Sequence, residues 1–243
     1  MAGQGTQRVA LVTGAGRGIG RATALALARE GYALCLAARS FEELKETRRL
    51  SGLEPVRSLI VLTDLAGEES PQELFDAALG HFRQIDVLVN NAGWAPARTP
   101  LIKTGAAAQD RILAVNLRAP IALTRLAAAR MVKSGGGAIV NIASAAARNT
   151  PAGEAVYAAA KAGLVAFSRA AFAELRSSGV KLTVIVPGLV DTALIPHNKH
   201  LDRALMLGAE DVAEAVMGVL RTPARACPVE IALEPQRNPE RAR

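Results

Sequence analysis

Tyr157 and Lys161 stand four residues apart in a run that reads as helix, so their side chains share one face. An ammonium near a phenol stabilises the tyrosinate and lowers a pKa that is otherwise about 10. Ser144, at the end of a short apolar run, completes a group suited to moving a proton near neutral pH. Asn116 sits in the long helical segment upstream. Taken singly, each residue has an ordinary structural explanation: a helix aromatic, a snorkelling cation, a cap.

A second cluster lies near the start of the chain. The first apolar run passes through Thr13 into Gly14, Ala15, Gly16, Arg17, Gly18, Ile19 and Gly20, and directly into a helix. Glycines there permit positive φ and close backbone approach, and the free amides of a helix start favour a pyrophosphate. The spacing is Gly-x-x-x-Gly-x-Gly rather than Gly-x-Gly-x-x-Gly, so by itself the turn fits a cofactor site and a structural turn equally. The second apolar run ends in Ala38, Arg39 and Ser40. An acid at that place binds a free ribose 2′-hydroxyl, whereas an arginine accommodates a 2′-phosphate. Arg17 and Arg39, joined by the Ser40 hydroxyl, therefore favour NADP over NAD. Asn90, Asn91, Ala92 and Gly93 follow the fourth apolar run, and Trp94, the single tryptophan, comes next. Substrate contact and simple packing of its ring are both open.

Together these residues resemble the short-chain dehydrogenase/reductase family over residues 8–233. The matching pieces are the turn from Thr13 to Gly20, Asp64, Asn90 to Gly93, Asn116, Ser144, Tyr157 with Lys161, and Pro187-Gly188 followed by Val190 and Thr192. The resemblance implies that Tyr157 is the acid/base, that Ser144 polarises the substrate carbonyl, and that Asn116 anchors a water in a proton relay. Lys161 would lower the Tyr157 pKa and hold the nicotinamide ribose. Gly14, Arg17, Gly18, Ile19 and Gly20 would face the cofactor phosphates, with Arg39 and Ser40 at the 2′-phosphate. Asp64 and Leu65 would face the adenine, and Asn90, Ala92 and Gly93 the adenosine side and sheet edge. Pro187 and Gly188 would lead into Val190 and Thr192 at the carboxamide. Trp94, Ala146 and Leu194 are the expected substrate contacts.

With all four catalytic positions filled, the family likeness implies hydride transfer between NADP(H) and a ketone, aldehyde or secondary alcohol. Two alternatives stand beside it. One is a reductase of 3-oxoacyl thioesters on acyl carrier protein, since residues 161–168 are similar to such enzymes. Against it, Ala173 fills a place where they commonly carry a basic residue, and residues 228–236 lack their Gly-Gly ending, being more similar to relatives that act on small hydroxy acids and aldehydes. The other is a non-catalytic NADP-binding sensor or scaffold.

These residues need elements to hold them. Short apolar runs at 9–13, 33–38, 56–62, 85–90, 137–142, 181–186 and 229–233 read as strands buried on both faces. Helical segments at 18–30, 41–50, 71–82, 106–133, 154–177 and 210–221 alternate with them. The expectation is a single doubly wound α/β Rossmann domain over 1–243, with a seven-stranded parallel sheet in the order 3-2-1-4-5-6-7. Residues 188–208 read as a substrate loop, and residues 1–7 and 236–243 as flexible ends. The 154–177 helix is apolar nearly all round, so a second copy is expected to cover it and 106–133, in a dimer or tetramer.

Composition narrows the classes further. The chain has 243 residues, 50% hydrophobic but 3% aromatic, and a net charge of +7 with pI near 10.0. Of its 29 cations, 23 are arginine, and they are scattered rather than clustered. Scattered charge and eight aromatics argue against a nucleic-acid surface. Cys35 and Cys227 read as reduced structural thiols, and His197 with His200, lacking carboxylate or thiol company, is not a metal pair. With neither a leader nor a membrane span expected, the reading is a soluble cytoplasmic protein.

Overall fold

Alternate residues of the first strand enter opposite cores, Ala10 and Val12 on one side and Leu11 on the other. Leu34 and Leu36 against Cys35 and Ala37, and Val87 and Val89 against Leu88, repeat the pattern. Strands apolar on both faces need helices on both, and parallel crossovers supply them. The computed structural model, which describes residues 7–195, 198 and 200–240, has that form. Its strands are β1 (Val9–Thr13), β2 (Ala33–Ala38), β3 (Ser58–Leu62), β4 (Val87–Asn90), β5 (Gly137–Ile142), β6 (Val180–Pro187) and β7 (Glu230–Leu233). They form one sheet in the order β3-β2-β1-β4-β5-β6-β7, with every neighbouring pair parallel.

One face is covered by α1 (Gly18–Arg29), α2 (Phe41–Ser51) and α8 (Ala209–Arg221), through Leu27, Leu44, Val212 and Val216. The other is covered by α3 (Ser70–Phe82), α5 (Ala119–Ser134) and α7 (Ala155–Leu175), through Leu74, Phe75, Leu123, Met131 and Ala171. Strand order reverses between β1 and β4, which opens a crevice at the carboxyl ends of the strands. Two short helices border it, α4 (Ala106–Leu113) and α6 (Ala146–Asn149). At the far edge Glu230 of β7 is ion-paired with Arg148 of α6 and, at 2.7 Å, with Arg169 of α7.

Several expectations are corrected. The strand expected from residue 56 starts at Ser58, because Pro55 opens a 3-10 turn, Pro55–Arg57. The helix expected over 106–133 is interrupted by a π-helical turn, Ala114–Arg118. The helical run Ala106–Ser134, expected to fall short of a membrane span, does reach the length and hydropathy of one, with a mean of 1.4 over its most apolar window. More than half of that window is buried in the fold, where Leu123, Ala127 and Met131 join the core.

The C-terminal stretch, expected to be frayed, is docked over 236–240. Pro239 is buried, its carbonyl accepts from Asp202 N at 2.8 Å, and Glu240 pairs antiparallel with Leu201. The flanking parts 1–6 and 241–243 lie outside the described residues, as does His197. The two thiols differ in setting. Cys35 is in the core, where burial pushes its thiol up to about 12, and Cys227 is partly exposed, its Sγ 3.7 Å from Thr183 Oγ1.

Candidate active site

Tyr157 and Lys161 rise from the first turns of α7 toward the end of β5, and both are buried. Lys161 Nζ lies 5.7 Å from the centre of the Tyr157 ring and donates to the Ile142 carbonyl at 2.9 Å. Ser144, just past β5, has its hydroxyl close enough to the phenol to favour the tyrosinate. Its Oγ also accepts from Ala146 N at 3.1 Å, which starts α6. The expected lowering of the Tyr157 pKa by Lys161 is not what the geometry produces. Burial dominates and pushes the phenol up to about 12, against the Ser144 hydroxyl and with help from the Glu154 charge. Burial also brings the Lys161 ammonium down to about 8.

Asn116 belongs to the π turn, a local widening that recurs at functional sites. The turn aims its amide back across the site. Nδ2 donates to the carbonyls of Trp94 at 2.6 Å and Ile112 at 2.9 Å, and Oδ1 accepts from Trp94 N at 3.3 Å. Gly93 separates it from the lysine: a Cβ there would stand 3.2 Å from Asn116 Oδ1 and 3.8 Å from Lys161 Nζ. Trp94 packs with Ile112, Ala146, Tyr157 and Ala160, and the Arg111 guanidinium lies 5.4 Å over its ring.

The glycine turn between β1 and α1 has its carbonyls tied back. Thr47 Oγ1 donates to Ala15 O at 2.9 Å, Arg21 donates to Gly16 O, and Asn91 Nδ2 donates to Thr13 O at 2.9 Å and Gly14 O at 3.3 Å. With the acceptors engaged and no side chain capping α1, the amides of its first turn face outward. Gly14 and Gly18 take φ of +63 and +52, and a Cβ on Gly20 would overlap the Gly14 carbonyl. The turn thus fits an approaching pyrophosphate. Arg21 and Thr47, which help build it, carry no sequence signal of that role, whereas Thr13 and Asn91 are marked by their match to the motif pattern.

Arg17 and Arg39 both lie exposed beside the turn. Arg17 pairs loosely with Glu43 at 3.4 Å, and among the described residues no ion pair or hydrogen bond engages Arg39. Ser40 caps α2, its Oγ accepting from Glu43 N at 3.3 Å, which leaves its hydroxyl proton for another acceptor. Asp64, exposed after β3, pairs with Arg111 at 2.7 Å. Burial works to raise its carboxyl, but that bond, the Ala66 amide and the charges of Arg111 and Arg39 hold it below the usual range.

The other candidates differ in how their side chains are placed. The Asn90 side chain is buried, donating to Asn141 Oδ1 at 2.9 Å and Thr124 Oγ1 at 3.2 Å, so it ties β4 to β5 and α5. Leu65 and Val190 are core residues. Ile19 and Ala92 are half-buried against the two cores. Gly188 is covered by Glu234 and Pro235, and the Pro187 carbonyl accepts from Ala145 N at 2.8 Å. Thr192 lies against Gly18, and Leu194 is exposed nearby in the same segment. Among the described residues no His, Cys, Asp and Glu cluster has the form of a metal site.

The sequence profile of the short chain dehydrogenase family matches residues 8–201, so the chain belongs to that family. It is 35% identical over 221 residues to cis-4-hydroxycyclohexanecarboxylate dehydrogenase of Sinomonas cyclohexanicum, covering 86% of this chain and 88% of that protein. It is 32% identical to an uncharacterized oxidoreductase of Staphylococcus aureus strain MW2, covering 95% and 98% of the two chains. The crystal structure of a metagenomic short-chain oxidoreductase in complex with NADP superimposes with a TM-score of 0.82 at 31% identity, covering 95% of this chain and 98% of that one.

Proposed function

We propose that the protein is an NADP(H)-dependent oxidoreductase that interconverts a ketone or aldehyde with its alcohol, Tyr157 being the acid/base. The observation that carries the reading is the convergence of the Ser144 hydroxyl and the Tyr157 phenol beside Lys161 at the carboxyl ends of the strands. The outward amides of the glycine turn would hold the pyrophosphate, and Arg17, Arg39 and Ser40 the 2′-phosphate. The NADP complex of the metagenomic relative supports that choice. Asp64 would meet the adenine, Thr192 the carboxamide, and Lys161 the nicotinamide ribose.

When bound, the reduced cofactor supplies the hydride. The chain's own residues do the rest. Ser144 donates to the carbonyl oxygen and positions it. Tyr157, which burial keeps protonated throughout the neutral range, delivers its proton to that oxygen as negative charge develops. Lys161, within reach of the ring, stabilises the resulting tyrosinate until a proton returns. Asn116, whose amide is bound to Trp94, holds the path by which water would supply it.

Leu194, Ala146 and the Trp94 ring would face the substrate. A small alicyclic or aliphatic carbonyl compound fits the activity in the name of the Sinomonas relative. The proposal extends to a single catalytic domain working in the cytoplasm as a dimer or tetramer. Tyr157→Phe tests it: NADPH oxidation across keto acids, aldehydes, cyclic ketones and 3-oxoacyl thioesters should fall by roughly 10²–10⁴-fold. NADPH affinity should stay within about threefold of the wild type, there being no charge change at the phosphate sites. Unaltered turnover would overturn the mechanism.

A further inference from the structure

Residues 189–195 lie against the glycine turn, where a Cβ on Gly18 would come within 3.2 Å of Thr192 Cγ2. Little in the segment itself holds it there. Val190 is buried, but Asp191, Ala193 and Leu194 are exposed, and the backbone makes one isolated bridge, Val190 with Leu207. Within it, Ile195 N donates to the Thr192 carbonyl at 3.1 Å and Leu194 N to Thr192 Oγ1 at 3.4 Å, and among the described residues Arg203 supplies the side-chain attachment from outside. Its Nε donates to Asp191 Oδ1 at 2.7 Å, Nη2 to the Thr192 carbonyl at 3.0 Å, and Nη1 to the Ile195 carbonyl at 3.2 Å. One guanidinium thus grips the backbone on both sides of Leu194.

Arg203 is itself fixed from behind. It opens the 3-10 turn Arg203–Leu205, which Asp202 caps by accepting from Ala204 N at 3.1 Å. Asp202 N donates to the Pro239 carbonyl, Leu201 bridges Glu240, and Pro239 is buried. Closer to β7, Glu234 and Pro235 cover Gly188 at the start of the same lobe. The chain after β7 therefore touches the lobe at its root and again behind Arg203.

We propose that Arg203, backed by the C-terminal segment 236–240, is a positioning residue that holds Thr192 against the nicotinamide half of the cofactor. The proposal rests on the cofactor reading given above. It requires the planar fork, because a lysine ammonium cannot reach the Asp191 carboxylate and the Thr192 and Ile195 carbonyls together in fixed geometry.

The test is calorimetric binding of two ligands, NADPH and adenosine 2′,5′-bisphosphate, the second lacking the nicotinamide half. For Arg203→Lys the NADPH Kd should rise about tenfold or more, the scale of lost charge-assisted hydrogen bonds, with bisphosphate binding unchanged. A chain ending at Pro235 should show the same selective loss. Arg203→Lys binding NADPH as the wild type does, or losing both ligands equally, overturns the positioning role, whether or not the shortened chain folds. A wild type that binds neither ligand overturns the cofactor reading itself, and this proposal with it.

Discussion

At the residue scale, burial sets the chemistry. Tyr157 and Lys161 are neighbours in a nearly dry site, and desolvation moves each toward its neutral form, the phenol up and the ammonium down. For Lys161 the folded pKa of about 8 lies below the ordinary value of 10.5, so the unfolded chain binds more protons between those limits. Burying the charged form opposes folding below pH 8, and that opposition is relieved as pH rises from 8 to 10.5. Denaturant titration should therefore show wild-type stability gaining on Lys161→Met by up to roughly 3 kcal/mol across that window. A constant difference would refute the assignment. Arg39, which no hydrogen bond or ion pair engages among the described residues and whose charge is shared only at longer range with Asp64, is the residue on which coenzyme choice should turn. Arg39→Asp should reverse the kcat/KM ratio of NADPH to NADH by tenfold or more, because an acid there repels the 2′-phosphate and suits a free 2′-hydroxyl.

At the element scale the π turn connects structure to activity. It turns Asn116 inward to bind both backbone groups of Trp94, so one amide pins the middle of the loop after β4. Asn116→Ala should release that loop, red-shift the emission of the lone tryptophan and lower kcat by about 10²-fold through misplacement at the site. An unshifted spectrum would show the loop held by other means. The strands and their order were legible in the sequence because doubly buried strands are short apolar runs separated by amphipathic helices. Tyr157, Lys161, Ser144 and the glycine turn were legible because their spacing repeats a family pattern. The π turn was not, since one extra residue per turn barely disturbs the apolar rhythm of 106–134. The inward turn of the Asn90 side chain was not legible either, because a residue at a strand end can face the crevice or the helices behind. Docking of 236–240 rests on one proline and backbone pairing, which leave no pattern to read.

At the scale of the whole molecule, α7 buries one side against the sheet and leaves Ala155, Ala159, Ala166, Ala170 and Ala173 exposed on the other. Small side chains at that spacing let a second helix approach closely, and Leu113 and Val132 add exposed apolar surface on the neighbouring helices. Light scattering should return at least twice the 25.3 kDa chain mass. Ala166→Arg should reduce it to one chain without weakening NADPH binding, whereas a monomeric wild type would remove the oligomer from the account. The unlike settings of the two thiols have a practical consequence. Cys35 is sealed and protonated at any working pH, so a maleimide dye should couple to Cys227 alone, one label per chain beside the seam of β6 and β7. Energy transfer from Trp94 to that single dye would then measure distance within the native sequence, with no engineered cysteine.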